Sequence, residues 1–167
     1  MKLSFREAVA ADAQEIAALR MAAANDLTAR FGKGFWSSNT TDKGVILGLS
    51  KGKVLIATRA GTIVGTLTLS TRKPWAIDTA YFSKVRTPVY LTSMAVEPTL
   101  QGQGVGRAML AAAEETVRNW PGHSIRLDAF DAEAGAGVFY AKCGYSEKGR
   151  VVFRSVPLIY YERLLES

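Results

Sequence analysis

Two stretches of this 167-residue chain carry residue types and spacings that suit chemistry. The first is QGQGVGR, Gln101 to Arg107, in which Gly102, Gly104 and Gly106 alternate with Gln103 and Val105 between an apolar run and a helical pattern. Backbone N–H groups at a helix start have no internal partner, and with the positive end of the helix dipole they attract anions. Glycines let such a guest reach the backbone, and Gln101, Gln103 and Arg107 surround it with donors. The same glycines would also serve a bare strand-to-helix corner. The second stretch is VFYAKCGY, Val138 to Tyr145, where Tyr140 offers a phenol on a short helical segment.

Spacing separates the phosphate loops. A P-loop needs Gly-Lys followed by Ser or Thr, whereas Gly106 is followed by Arg107 and Ala108. A dinucleotide loop needs G-x-G-x-x-G after a first strand, and this chain has G-x-G-x-G after a mid-chain strand. Asp128 on the following strand imitates a ribose-binding acid, which keeps a dinucleotide-binding protein as an alternative.

Val96-x-Pro98 followed by Gln101-x-x-Gly104-x-Gly106-Arg107 resembles the GNAT family of acyl-CoA-dependent N-acetyltransferases, and VFYAKCGY resembles that family's second signature. The resemblance implies acetyl-CoA as co-substrate, without a metal. It implies pyrophosphate contacts from the backbone of Gln101, Gly102, Gln103, Gly104, Val105, Gly106 and Arg107, pantetheine pairing along Met94, Ala95 and Val96, and further coenzyme contacts from Phe139 and Tyr140. Tyr140 is then the proton donor to the departing thiolate, and a strand N–H near Met94 or Ala95, at a bulge, meets the oxyanion. The acceptor implied is a primary amine of a small molecule or peptide, attacking directly in a ternary complex. Many members carry Asn where this chain has Glu133, with Asp131 close by. A non-catalytic acyl-CoA sensor is the alternative from another functional class.

An amine of pKa near 10.4 is neutral in only about one molecule in a few thousand at pH 7, so its proton needs a base or a water path. Asp128, Glu97, Asp78 and His123 all have suitable chemistry, and Asp128 is the choice. His123, directly after Pro121-Gly122, reads as a solvated turn residue.

These groups must be positioned by elements that the patterning supplies. LSFREA alternates as a strand, Asp12 opens an Ala-rich helix to about Thr28, and TTDKGVILGLSKG is a second helix ending at Gly52. Lys53 to Thr58 and Thr62 to Leu69 form a hairpin around Ala60-Gly61. Pro88 to Val96 is apolar on nearly every position, as a central strand requires, and it starts a βαβ unit ending in Ser124 to Phe130. A short helix stopped at Gly144 and two last strands complete the order β-α-α-β-β-β-α-β-α-β-β. The class expected is α/β with a mixed sheet, the GNAT acyl-CoA N-acyltransferase fold, in one domain over residues 1–167. The loop from Thr71 to Thr87 is either functional or packed by its own Trp75, Tyr81 and Phe82. Acceptor walls are expected from Phe31 to Trp36, from Trp75 to Phe82 and around Tyr160 and Tyr161.

With 48% hydrophobic and 22% charged residues the composition is that of a globular protein. No apolar run approaches the roughly 18 residues of a membrane span, so a cytoplasmic protein without membrane contact is expected. One cysteine excludes an internal disulfide. The net charge of +6 favours an anionic ligand, but the basic residues, Arg72, Arg107, Arg126 and Arg150 among them, are scattered as on a solvated surface rather than clustered for nucleic acid. PLIYYERLL, if exposed, offers an edge for a second copy, making a homodimer.

Overall fold

The computed structural model describes residues 2–37 and 39–165; Met1, Ser38, Glu166 and Ser167 lie outside the described residues. The chain builds two compact units, one from Met1–Leu69 and Ser93–Ala113, the other from Ser70–Thr92 and Glu114–Ser167.

In the first unit Ser4–Glu7 (β1) pairs antiparallel with Lys53–Arg59 (β2), and β2 pairs antiparallel with Thr62–Ser70 (β3). Ala60 and Gly61 both have positive φ, 50° and 81°, the backbone of a two-residue turn whose twist matches the strands it joins. Two helices follow β1: Ala13–Phe31 (α1) and Asp42–Lys51 (α2). The carboxylate of Asp12, in the 3-10 turn Ala10–Asp12 that precedes α1, accepts from Val9 N at 2.8 Å and from both terminal nitrogens of Arg6 at 2.8 and 2.9 Å. Thr41 caps α2, its Oγ1 accepting from Gly44 N at 3.1 Å. Ile16, Leu19, Val45, Val54, Ile56 and Ile63 form one buried cluster among these elements.

Pro88–Val96 (β4) stands fourth in the strand order β1, β2, β3, β4, Ser124–Phe130 (β5), Val156–Leu164 (β7), Ser146–Phe153 (β6), and the chain changes unit within it, between Thr92 and Ser93. Val105–Asn119 (α3) follows. Gly65 on β3 lies so near this helix that a Cβ there would overlap Met109 Sδ. That close approach is the reason for a glycine inside an otherwise β-branched strand.

In the second unit β4 runs parallel to Ser124–Phe130 (β5), with Pro88, Val89 and Tyr90 opposite Ser124, Ile125 and Arg126. Gly137–Lys142 (α4) leads to Ser146–Phe153 (β6) and Val156–Leu164 (β7), an antiparallel hairpin. The expected element order is present, with three short 3-10 turns added among the described residues. The condition under which PLIYYERLL would offer an edge to a second copy, an exposed strand, is not met. This stretch is β7, paired on one side with β5 and on the other with β6, so its backbone groups are spent inside the sheet and the outer strand is β6.

Arg126 also departs from a solvated surface. It is 5% exposed, and its guanidinium bonds Glu162 Oε2 at 2.9 Å, Tyr90 Oη at 3.1 Å and Ser83 O at 2.6 Å. Ser83 N donates to Glu162 Oε1 at 3.0 Å, so the same ion pair fastens the end of the long loop to β5 and β7. That loop is packed by its own side chains, Ile77 and Phe82 lying in a buried cluster with Tyr90 and Tyr160.

Candidate active site

The glycine loop belongs to the first unit. Within β4 Ser93 has φ 55°, a left-handed conformation that costs a non-glycine residue energy and departs from the regular strand repeat just before Met94 and Ala95. The strand ends where Glu97 N donates to Val64 O at 2.8 Å. Pro98–Leu100 form a single 3-10 turn, after which Gly102 and Gly104 take φ 79° and 88°.

Gly104 O accepts from Ala108 N at 3.1 Å, so the loop runs directly into the first turn of α3. A Cβ at Gly102 or Gly104 would meet no atom within 4 Å. Open space therefore lies beside a backbone whose donors sit at a helix start, the arrangement a pyrophosphate group requires. Val105 holds the loop in place, its side chain 1% exposed in the core. The side chain of Gln103 is turned inward on the loop, Nε2 donating to Thr99 O at 3.3 Å.

In the second unit Tyr140 sits in α4, a helix that opens on Gly137 and stops before Gly144. A Cβ at Gly137 would lie 2.8 Å from Tyr161 Oη, so the glycine lets the helix reach β7. Gly144, at φ 92°, ends the helix, and Tyr145 N returns to Tyr140 O at 3.1 Å. Tyr140 is buried among Phe139, Tyr145 and Tyr161, with ring centroids 5.3, 5.8 and 6.1 Å away. Burial, and then the charge of Asp128, hold its phenol above its ordinary pKa. A tyrosine so placed stays protonated and can donate.

Asp128 lies half-buried on β5, directly opposite Tyr160 on β7, and burial raises its carboxyl above the usual carboxylate range. The other candidate bases have structural partners. His123 Nδ1 accepts from Thr87 N at 3.1 Å while His123 N donates to Thr87 O at 2.8 Å, so the imidazole clamps the entry to β4 rather than sitting in a solvated turn. Asp78 Oδ1 accepts from Ala80 N at 3.0 Å, capping Thr79–Tyr81, and Glu97 Oε1 accepts from Thr99 Oγ1 at 3.3 Å. Glu133 is exposed, and Asp131 pairs with Arg150 at 3.4 Å.

Of the expected acceptor walls, Phe31 and Trp36 stack edge to face at 6.4 Å in the first unit, and Trp36 Nε1 donates to Gly32 O. Trp75, Tyr81 and Tyr160 share a cleft in the second unit. Gly149, which the sequence does not single out, makes that cleft possible: a Cβ on it would overlap the Tyr81 ring.

The G-x-G-x-G loop joins one parallel strand pair in a mixed sheet, whereas a doubly wound dinucleotide fold is built on a mostly parallel one. No helix among the described residues is long and apolar enough to cross a membrane. A family model described as "Acetyltransferase (GNAT) domain" matches residues 50–147. The aminoglycoside N(6')-acetyltransferase type 1 of Stenotrophomonas maltophilia is 35% identical over 69 residues, which are 41% of this chain and 45% of that protein, so less than half of that relative's length is spanned. A GNAT-family acetyltransferase of Listeria monocytogenes superposes with a TM-score of 0.76 at 21% identity, covering 98% of this chain and 95% of that one. A Salmonella typhimurium protein solved with its cofactor acetyl-CoA superposes with a TM-score of 0.70 at 18% identity, covering 99% and 95%.

Proposed function

We propose, from the premise that this chain belongs to the GNAT acetyltransferase family, that it transfers an acetyl group from acetyl-CoA to a primary amine. The observation that carries this reading is the extent of the family match, which runs over both the glycine loop and the Tyr140 helix. The backbone N–H groups from Gln101 to Arg107 cradle the pyrophosphate, Met94 to Val96 pair with the pantetheine arm, and Phe139 and Tyr140 complete the coenzyme contacts. The open space at Gly102 and Gly104 and the irregular backbone at Ser93 support these assignments.

The acceptor nitrogen attacks the thioester carbonyl. A C–N bond forms, the C–S bond breaks, and the sulfur leaves as a thiolate that takes its proton from Tyr140. Asp128 accepts the proton that the amine loses, its raised pKa making it a stronger base than a solvated carboxylate. A strand N–H at Met94 or Ala95 meets the negative oxygen. We read residues 1–167 as one domain and the chain as cytoplasmic.

Thermal stabilisation by acetyl-CoA, followed by thiol release in the presence of amines, tests the function. Stabilisation without any thiol release over a broad amine panel would favour a non-catalytic acyl-CoA sensor, and no stabilisation at all would overturn both readings.

A further inference from the structure

Arg20, which the sequence does not single out, stands on α1 one turn beyond Ile16 and Ala17, whose side chains lie in the core of the first unit. Its half-buried guanidinium is turned toward the sheet. Nη2 donates to Thr68 Oγ1 on β3 at 3.3 Å, a long bond, and Nε is enclosed without a partner among the described residues. No carboxylate of the described residues pairs with it: Glu15 Oε2 accepts from Ile63 N at 2.8 Å, Asp26 Oδ2 pairs with Arg30 Nη2 at 3.0 Å, and burial lowers the Arg20 pKa with no acid opposing the shift. A desolvated cation without a counterion is costly, and such groups mark sites where a ligand supplies the partner.

The guanidinium has a side open to that ligand. Nη1 makes no bond to the described residues and, unlike Nε, is not enclosed. From Arg20 onward α1 leaves the core: residues 21–31 are all half-buried or exposed, and Ala23 and Ala24, one turn on, are too short to cover the charge. The floor is polar. Thr66 and Thr68 pair with Ile56 and Val54 of β2, which face α1, and Thr66 Oγ1 is also enclosed without a partner.

This patch lies level with the reacting end of β4. Val64 O accepts from Glu97 N, so the end of β4 meets the start of β3 and the two neighbours run antiparallel. Stepping forward along β3 to Thr66 and Thr68 therefore steps back along β4 toward Ala95 and Ser93. That run holds the left-handed Ser93 and the Met94 and Ala95 N–H groups assigned to the oxyanion. Neighbouring strands lie about 5 Å apart, a separation that the short backbone of an amino acid bridges.

We propose that Arg20 receives a carboxylate of the acceptor, so that the amine acetylated belongs to an amino acid rather than to a polyamine or an aminosugar. The proposal rests on the acetyl-transfer reading above. Nη1 and the free N–H of Nη2 donate to the two carboxylate oxygens, a forked pairing that arginine makes and lysine does not. The amine is then held over Met94 and Ala95. One guanidinium balances the single charge of a carboxylate, whereas a polycation meets an uncompensated positive charge.

The test measures thiol release with the common L-amino acids, each beside the amine left when its carboxyl group is removed, such as L-phenylalanine with 2-phenylethylamine and L-leucine with isoamylamine. Kanamycin and O-phosphoethanolamine complete the panel, and wild type is compared with Arg20→Met and Arg20→Lys. The best amino acid is expected to exceed its decarboxylated counterpart by about tenfold or more in kcat/KM. Arg20→Met should raise the amino-acid KM about tenfold, against less than about threefold for the decarboxylated amine and for acetyl-CoA, and Arg20→Lys should recover part of the loss. Because Arg20→Met removes an unpaired, desolvated charge, it should melt no lower than wild type. Equal use of both members of every pair, preference for kanamycin or O-phosphoethanolamine, or an amino-acid KM indifferent to Arg20→Met overturns the proposal. An Arg20→Met variant that fails to fold overturns it too, by giving the guanidinium a structural task. If acetyl-CoA neither stabilises the wild type nor releases thiol, the acetyl-transfer reading falls on its own, and calorimetric binding of the amino acids to wild type and Arg20→Met still decides whether Arg20 takes a carboxylate.

Discussion

Arg126 and Glu162 lie 2.9 Å apart, Nε to Oε2, with 6% and 1% of their side chains exposed. Burying the pair is costly, and its further bonds to Tyr90 and Ser83 are what make it tolerable. Arg126→Met should destabilise the protein by about 3–5 kcal/mol, because Glu162 is left charged and buried, with Lys148 Nζ as far as 4.0 Å away. Replacing both residues with apolar ones should recover most of that loss. Urea unfolding of the two variants checks it, and coincident midpoints from fluorescence and circular dichroism would support one cooperative domain.

Tyr140→Phe keeps the ring among Phe139, Tyr145 and Tyr161 and removes only the hydroxyl, and with it the proton to be donated. A thiolate is a good leaving group, so the loss in kcat is expected near the low end of general-acid effects, about 100-fold, with acetyl-CoA affinity changed less than about threefold. Turnover equal to wild type would remove Tyr140 from the mechanism.

Asp128 must be deprotonated to act as a base, so activity should fall as pH drops through its pKa. Burial places that fall above the ordinary carboxylate value of about 3.9. The kcat/KM profile of Asp128→Asn should be lower where wild-type Asp128 is ionised and lack this acidic limb, the two profiles converging once Asp128 is protonated. An identical limb in the variant assigns the base elsewhere.

Gly104→Ala places a side chain at φ 88°, a conformation costing about 1–2 kcal/mol, although no neighbouring atom obstructs it. The expected result is a modest loss of stability together with a loss of at least tenfold in acetyl-CoA affinity, read by calorimetry, since the methyl occupies the approach of the pyrophosphate.

The Arg6 guanidinium, and then Val9 N, hold the Asp12 carboxyl at about 2. A depressed carboxylate contributes stability above its unfolded pKa of about 3.9 and loses it as pH falls through its folded value. Asp12→Asn should therefore narrow its stability deficit against wild type between about pH 4 and pH 2, as followed by thermal unfolding. A deficit that stays constant across that window would remove the pair from acid stability.

Local backbone requirements were legible in the chain. Ala60-Gly61, Gly102, Gly104 and Gly144 stand where a turn, a loop or a helix end needs positive φ, a demand written in the residue itself. The helices and strands followed from the period of their apolar positions, and the central place of β4 from its unbroken run of them. Gly65, Gly137 and Gly149 were not legible. Each is required by a side chain from elsewhere, Met109, Tyr161 or Tyr81, and no local rule marks such a meeting.

The same division holds for the site. Spacing set Gln101 to Arg107 apart, because an anion-binding helix start is a property of contiguous residues, whereas Val138 to Tyr145 stood out through its resemblance to the family's second signature. Only the tertiary structure decided that Arg126 is buried, that His123 clamps Thr87, that β7 has neighbours on both sides and that Asp128 faces Tyr160. Strand register and burial are set by the whole sheet, and they join residues such as Arg126 and Glu162 that stand 36 positions apart.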